Sequence, residues 1–204
     1  LLYTDVANAA FFTIFYVPMV PIIIFIFKKD FLHWSVWPSV ILCLIGGYLL
    51  TNFQDATVRL GDTLVVLGAL FWSTHIIFTG MIVKKYNLPL TIGAIQTLLV
   101  ALFSFIIGLF SEEFVIANIL NEIDSILYAG ILSGGFAFVL QIYAQRNITP
   151  APAAIIFSLE GVFATIAAWF LLNQILGINN LLGCFFILSG VLLSQLVPLI
   201  RKAS

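Results

Sequence analysis

The chain has 204 residues, of which 62% are hydrophobic and 8% charged, with eight basic and nine acidic side chains and a net charge of −1. A water-soluble domain carries about 25% charged residues, so this chain cannot coat a globule of its size and its apolar surface must face lipid. The near-zero charge leaves no basic stripe for nucleic acid, and Cys43 and Cys184, far apart in apolar runs, read as buried thiols outside any disulfide or metal site.

Seven apolar segments stand between polar breaks: Val6–Phe27, Phe31–Thr51, Thr63–Val83, Leu90–Phe110, Ile123–Tyr143, Ala151–Leu172 and Leu181–Ile200. Each has 20 to 22 residues, the length at which a helix crosses a bilayer. Runs such as Ile22-Ile23-Ile24-Phe25 do not alternate in polarity, which excludes a transmembrane barrel. Pro18 and Pro21 should bend the first helix, and Lys28-Lys29-Asp30 ends it. Asn52 to Asp62 separates the second from the third. Lys84-Lys85-Tyr86-Asn87 and Pro89 predict a tight reversal, with the proline in the first turn of the next helix. Ser111 to Glu122 is the longest break, and its Phe114–Leu120 stretch is expected in the interface. Thr149 is placed as the cap of the sixth helix. The chain opens on Leu1-Leu2-Tyr3 with no initiator Met and no secretory signal, and is expected to be N-terminally incomplete.

Numbering the breaks alternately assigns Lys28, Lys29, Lys84, Lys85, Arg146, Arg201 and Lys202 to one side and Arg59 to the other. The basic side is cytoplasmic by the positive-inside rule, which puts the C-terminus inside. Asp5, Asp55, Asp62, Glu112, Glu113, Glu122 and Asp124 fall opposite, with Asp30 alone on the basic side.

The first two segments align with the last two. Thr4 meets Thr149, Ala9 meets Ala154, Thr13 meets Ser158, Val17 meets Val162 and Phe25 meets Phe170. After a one-residue loop difference, Leu44 meets Leu188, Gly46 meets Gly190 and Leu49 meets Leu193. The matched segments run in opposite directions across the membrane, which requires an odd number of helices per repeat. A five-plus-five inverted plan results, of which the first three helices are absent here. Such plans recur in secondary transporters, with the site near the bilayer midplane.

Leu2-Tyr3-Thr4, Asn8-Ala9-Ala10-Phe11 and Tyr16-Val17-Pro18 resemble the junction of helices three and four in EamA-type members of the drug/metabolite transporter superfamily. Gly61-Asp62 followed by Phe71-Trp72 is similar to the start of that family's second repeat. Pro152-Ala153-Ala154 through Ser158-Leu159-Glu160, closing with Leu188-Ser189-Gly190-Val191, is similar to its ninth and tenth helices. The resemblance implies an all-α polytopic bundle, here seven transmembrane helices of a ten-helix fold with both termini inside. It divides the chain into a remainder of the first repeat over residues 1–51 and the second repeat over 61–200. It also implies alternating-access or gated export of small metabolites, amino acids or drugs across the inner, cytoplasmic membrane.

Glu160 is the only acid near the middle of a span, where an ionisable group costs at least several kcal/mol unless paired, protonated or wet. It is read as a proton relay or a contact for a substrate amine, against a structural fastener between helices. Trp72, His75 and Thr79 share one helix face by their spacing, as a cavity wall or as packing. Gly134, Phe138, Gln141 and Gln145 form a stripe on the fifth helix, with Gln141 deep enough to need a partner. Asn8 and Tyr16 on the first helix and Gln96 on the fourth complete the candidate substrate contacts, each open between substrate binding and interhelical glue. Gly46-Gly47, Gly134-Gly135 and Gly190 are expected at close helix contacts.

No metal-ligand spacing and no phosphate-cradling loop occurs, so neither a metal, a cofactor nor ATP is implied. The expected partners are a small-molecule substrate and the lipid bilayer, without nucleic acid. A homodimer, or the missing N-terminal helices supplied by another polypeptide, is expected to complete the assembly. The chain is read as a transporter and not an enzyme. The alternatives are a non-transporting fragment or assembly partner, and an intramembrane enzyme using Glu160 and His75 as an acid/base pair.

Overall fold

The computed structural model describes residues 3–4, 6–28, 32–51, 59–111 and 114–203. Leu2, Asp5, Lys29, Asp30, Phe31, Asp55, Glu112 and Glu113, which enter the charge pattern, the breaks or the resemblance, lie outside the described residues. Every element of the described chain is a helix. In order come α1 (Val6–Thr13), α2 (Tyr16–Lys28), α3 (Val36–Thr51), α4 (Leu60–Tyr86), α5 (Pro89–Ser111), α6 (Ile116–Asn121) and α7 (Ile123–Leu127). A π-helical segment (Tyr128–Ala137) then leads into α8 (Phe138–Gln145), followed by α9 (Pro150–Phe157), α10 (Leu159–Leu172) and α11 (Ile178–Ala203).

Among the described residues, six helical stretches are long and apolar enough to cross a bilayer: Asn8–Phe27, Leu60–Tyr86, Pro89–Ser111, Ile123–Gln145, Pro150–Leu172 and Ile178–Ile200. The segment expected over Phe31–Thr51 appears as the shorter apolar helix Val36–Thr51, because Trp34 and Ser35 form a turn ahead of it. The expected interfacial stretch Phe114–Leu120 overlaps α6. Thr149 stands at the N-cap of α9 in extended conformation, yet its side chain makes no capping bond. Pro150 at the first helical position has no N–H to satisfy.

The helices form two compact units, one taking the chain as far as Phe78 and again from Thr149, the other spanning Thr79–Ile148. In the first, the core joins Tyr16, Val17, Val20 and Ile24 of α2 to Val36, Val40 and Cys43 of α3, Ile76 and Ile77 of α4, and Ala151, Ala154 and Ile155 of α9. Its most extensive helix pairing is between α3 and α11. A Cβ added to Gly46 would stand 2.7 Å from the Gly183 carbonyl oxygen and 2.6 Å from the Ile187 side chain. One added to Gly190 would stand 2.8 Å from the Ser39 carbonyl oxygen and 2.9 Å from Cys43 Sγ. Low numbers on one helix thus meet high numbers on the other, so the pair is antiparallel. The alignment offset that sets Gly46 against Gly190 also sets Ser39 against Gly183 and Cys43 against Ile187. The two sets of contacts exchange under it.

In the second unit, the Gln96 amide donates to the Thr79 hydroxyl at 3.0 Å. Gly93 of α5 sits where an added Cβ would be 3.1 Å from Val139 Cγ2. The expected stripe is one part of the covered face of the fifth span, which also takes in Gly135, Val139 and Ile142: Gln145 is buried and Gly134, Phe138 and Gln141 are half-buried, whereas Phe136, Leu140 and Tyr143 are exposed. Gly134 and Gly135, however, do not mark a close helix contact. The atoms nearest their missing side chains are the Ala129 and Gly130 carbonyl oxygens five residues back on their own helix. That is the signature of the wider π-helical turn.

Candidate functional site

Both apolar stretches that matter most to the first unit are interrupted helices. Pro18 has no N–H to give the Ile14 carbonyl, and its ring crowds that carbonyl one turn upstream. The Val17 N–H takes the Ile14 oxygen instead at 2.9 Å, and Ile14 and Phe15 bond back to Phe11 and Phe12 at 3.2 and 3.3 Å. The helix tightens and breaks there, between α1 and α2. The second break has no proline. The Ser158 hydroxyl donates to the Ile155 carbonyl at 2.6 Å, and its N–H reaches the same carbonyl at 3.3 Å. Such back-bonding by a hydroxyl bends a helix, and α9 ends as α10 begins. The sequence alignment pairs Thr13 with Ser158, so the two interruptions fall at matched places.

A pocket of about 300 Å³ lies between the breaks. Thr13, Ile14 and Tyr16 line it from one interruption and Phe157, Ser158, Glu160 and Gly161 from the other. Gly47, Leu50 and Thr51 of α3 and Ile187 of α11 close its walls. Most of this lining is apolar, with hydroxyls from Thr13, Tyr16, Thr51 and Ser158 and one carboxylate. The Thr13 hydroxyl is committed to the Ala9 carbonyl at 2.7 Å. Ser158 is buried, and the Cys43 thiol lies 3.4 Å from its hydroxyl. Tyr16 is 5% exposed, whereas Glu160, in the first turn of α10, lines the pocket and is exposed. Neither a hydrogen-bond donor nor a cation reaches the Glu160 carboxylate among the described residues. A carboxylate held open in an apolar pocket can take a proton, or a cationic group of a ligand.

The other expected site residues lie elsewhere. Trp72 and His75 stack face to face at 4.9 Å with 17° between their planes, as their spacing on one helix face predicts, but neither lines the pocket. Thr79 is buried and engaged by half-buried Gln96. Gln141 is half-buried, with its Nε2 enclosed and lacking an acceptor among the described residues. Asn8 is buried near the start of α4, where Asp62 accepts the Thr4 hydroxyl and the Arg59 backbone N–H, the latter at 2.8 Å. Of the expected substrate contacts the structure brings Tyr16 and Glu160 to one pocket, together with Phe157, Ser158, Gly161 and Thr51, which sequence reasoning did not place beside them. The pairing of Thr13 with Ser158 was the signal that pointed there. Among the described residues, no group of three His, Cys, Asp or Glu side chains could hold a metal ion.

Comparison with known proteins gives one family match, described as the EamA-like transporter family, over residues 59–196. A protein of Archaeoglobus fulgidus named "Uncharacterized transporter" is 30% identical over 200 residues, which cover 95% of this chain and 62% of the relative. "Uncharacterized transporter YoaV" of Bacillus subtilis is 27% identical over 168 residues, or 79% of this chain and 55% of its own length. "Protein WALLS ARE THIN 1" of Arabidopsis thaliana is 25% identical over 162 residues, 78% of this chain and 40% of that protein. The chain thus spans between two fifths and two thirds of the length of these relatives.

Proposed function

The chain belongs to the EamA-like transporter family, and from that premise we propose that it is a secondary transporter moving small organic solutes through the pocket of Tyr16 and Glu160. The observation that carries this reading is the exposed Glu160 carboxylate in the middle of an apolar stretch. Leaving a charge there unpaired is costly, so a site that keeps one open has a use for it. A proton or an ammonium group satisfies it equally well. Small metabolites, amino acids and drugs are the expected solutes, and the apolar walls favour those with a hydrocarbon or aromatic body.

Alternating access around a five-plus-five inverted plan is the mechanism we infer. Two features support it. The matched interruptions at Ile14–Phe15 and Ser158 put discontinuous helices around the pocket, as in other inverted-repeat transporters. The α3–α11 contacts also exchange under the repeat offset. On this reading residues 1–51 belong to the first repeat and 61–200 to the second, the protein sits in the cytoplasmic membrane, and the C-terminus is inside. The intramembrane-enzyme alternative needs Glu160 and His75 in one pocket, and His75 is not among the residues lining that of Glu160.

Export is measured in liposomes holding a proton gradient and a panel of amino acids and amines. The wild-type chain should move at least one of them down the gradient. Glu160→Gln, reconstituted to the same level, should lose that movement or no longer follow the gradient. Wild-type flux in the variant would make Glu160 a structural residue.

A further inference from the structure

One corner of the second unit gathers cations that no acid answers among the described residues. Lys84 and Lys85 occupy the last turn of α4 and are exposed. Asn87, in the left-handed conformation with φ of 56°, reverses the chain and caps α4 through its N–H to the Val83 carbonyl at 2.9 Å. Arg146, just past the end of α8, reaches this reversal. Its Nη1 donates to Asn87 Oδ1 at 3.2 Å and its Nη2 to the Tyr143 hydroxyl at 3.3 Å. The guanidinium also lies over the Tyr143 ring, 4.6 Å from its centre, as Lys85 does over Tyr86 at 5.1 Å. Both tyrosines are at least half exposed.

The sequence carries no acid from Lys84 to Ser111 or from Ser125 to Pro150. Helix dipoles account for part of this, since cations favour helix C-termini. They do not account for the clamp. Asn87 and Tyr143 are neutral acceptors: they fix the orientation of the guanidinium without cancelling its charge, and the other N–H groups of its fork have no acceptor among the described residues. A fixed, uncompensated guanidinium is a preorganised receptor for a planar or tetrahedral oxyanion. The corner caps two membrane-length helices and is flanked by tyrosines, the aromatic residues of the membrane–water boundary. The oxyanion always present at that depth is a lipid phosphate.

We propose that Lys84, Lys85 and Arg146, with Tyr143 and Asn87 holding the guanidinium, bind the phosphodiester head group of an anionic membrane lipid. The site rests on the membrane placement of the helices and is independent of what the chain transports.

The test is the melting temperature of the full chain in detergent micelles, titrated with dioleoyl-phosphatidylglycerol and, separately, dioleoyl-phosphatidylcholine. Phosphatidylglycerol should raise it and phosphatidylcholine should not. Each cation removed should raise the half-saturating lipid concentration about five-fold, so Arg146→Gln shifts it about five-fold and Lys84→Gln with Lys85→Gln more. Arg146→Lys keeps the charge but not the fork, and should lose part of the effect while folding normally. Arg201→Gln with Lys202→Gln removes two charges elsewhere and should leave the response intact. Equal responses to the two lipids would overturn the proposal. So would equal loss in the Arg201/Lys202 variant, which would make the attraction diffuse. A full shift from inorganic phosphate at matched ionic strength would make the ligand a free anion and overturn it as well.

Discussion

At the scale of single residues, the sequence is informative about depth and poor about company. Glu160 and Tyr16 stand out because a polar group within an apolar run is costly wherever it points. Whether they meet depends on helix rotation, which a single chain of letters does not carry. The same ambiguity let Trp72 and His75 stand as companions of Glu160, although their stacked rings lie outside its pocket. Tyr16 is nearly enclosed, so its hydroxyl is worth most to a ligand that reaches it. Tyr16→Phe should raise the KM for a transported solute about two- to ten-fold, the effect of one lost hydrogen bond, with maximal flux little changed. Flux assays over a range of solute concentrations separate the two constants. An unchanged KM would leave Tyr16 to packing alone.

At the scale of elements, interruptions were legible where a proline causes them and hidden where a hydroxyl does. Pro18 announces a bend, and the break falls one turn earlier because the deprived carbonyl belongs to Ile14. Ser158 offers no comparable sign, since most helical serines bond back without ending the helix. The π-helical segment was equally hidden, and its glycines misled by looking like a packing motif. Gly46 and Gly190 did not mislead. Gly190→Ala places a Cβ 2.8 Å from a backbone oxygen that cannot yield, and overpacking of this kind costs about 1–3 kcal/mol. Gly46→Ala should cost a similar amount. Gly68→Ala is the control, for nothing lies within 4 Å of its missing Cβ. It should be neutral or stabilise by up to about 1 kcal/mol through helix propensity. Thermal unfolding of the three variants in one detergent tests the contrast, and a stable Gly190→Ala protein would show that the α3–α11 seam is looser than described.

At the scale of the whole molecule, composition alone made the chain a membrane protein, and six described helices have the length for it. The orientation was read from Lys, Arg, Asp and Glu in the breaks, several of them outside the described residues. Labelling tests it directly. In a variant with Cys43 and Cys184 replaced by serine, a cysteine at Lys85 should react with an impermeant maleimide only after cells are opened. One at Arg59 should react in intact cells. The reverse pattern would invert the proposed topology and with it the sense of export.

The α3–α11 seam also bears on how the protein is made. It joins a helix that begins at Val36 to one that begins at Ile178. At roughly 5–20 residues per second of synthesis, α3 waits on the order of ten seconds in the bilayer before its partner leaves the ribosome. Throughout that interval the face of Gly46 that will meet Gly183 and Ile187 has no α11 against it, whereas Gly47 already has Ile14 to pack on. A polypeptide stopped before Gly183 can never cover the Gly46 face, and should be marked for membrane proteolysis however well its earlier helices insert. Biogenesis of this fold therefore hangs on α11.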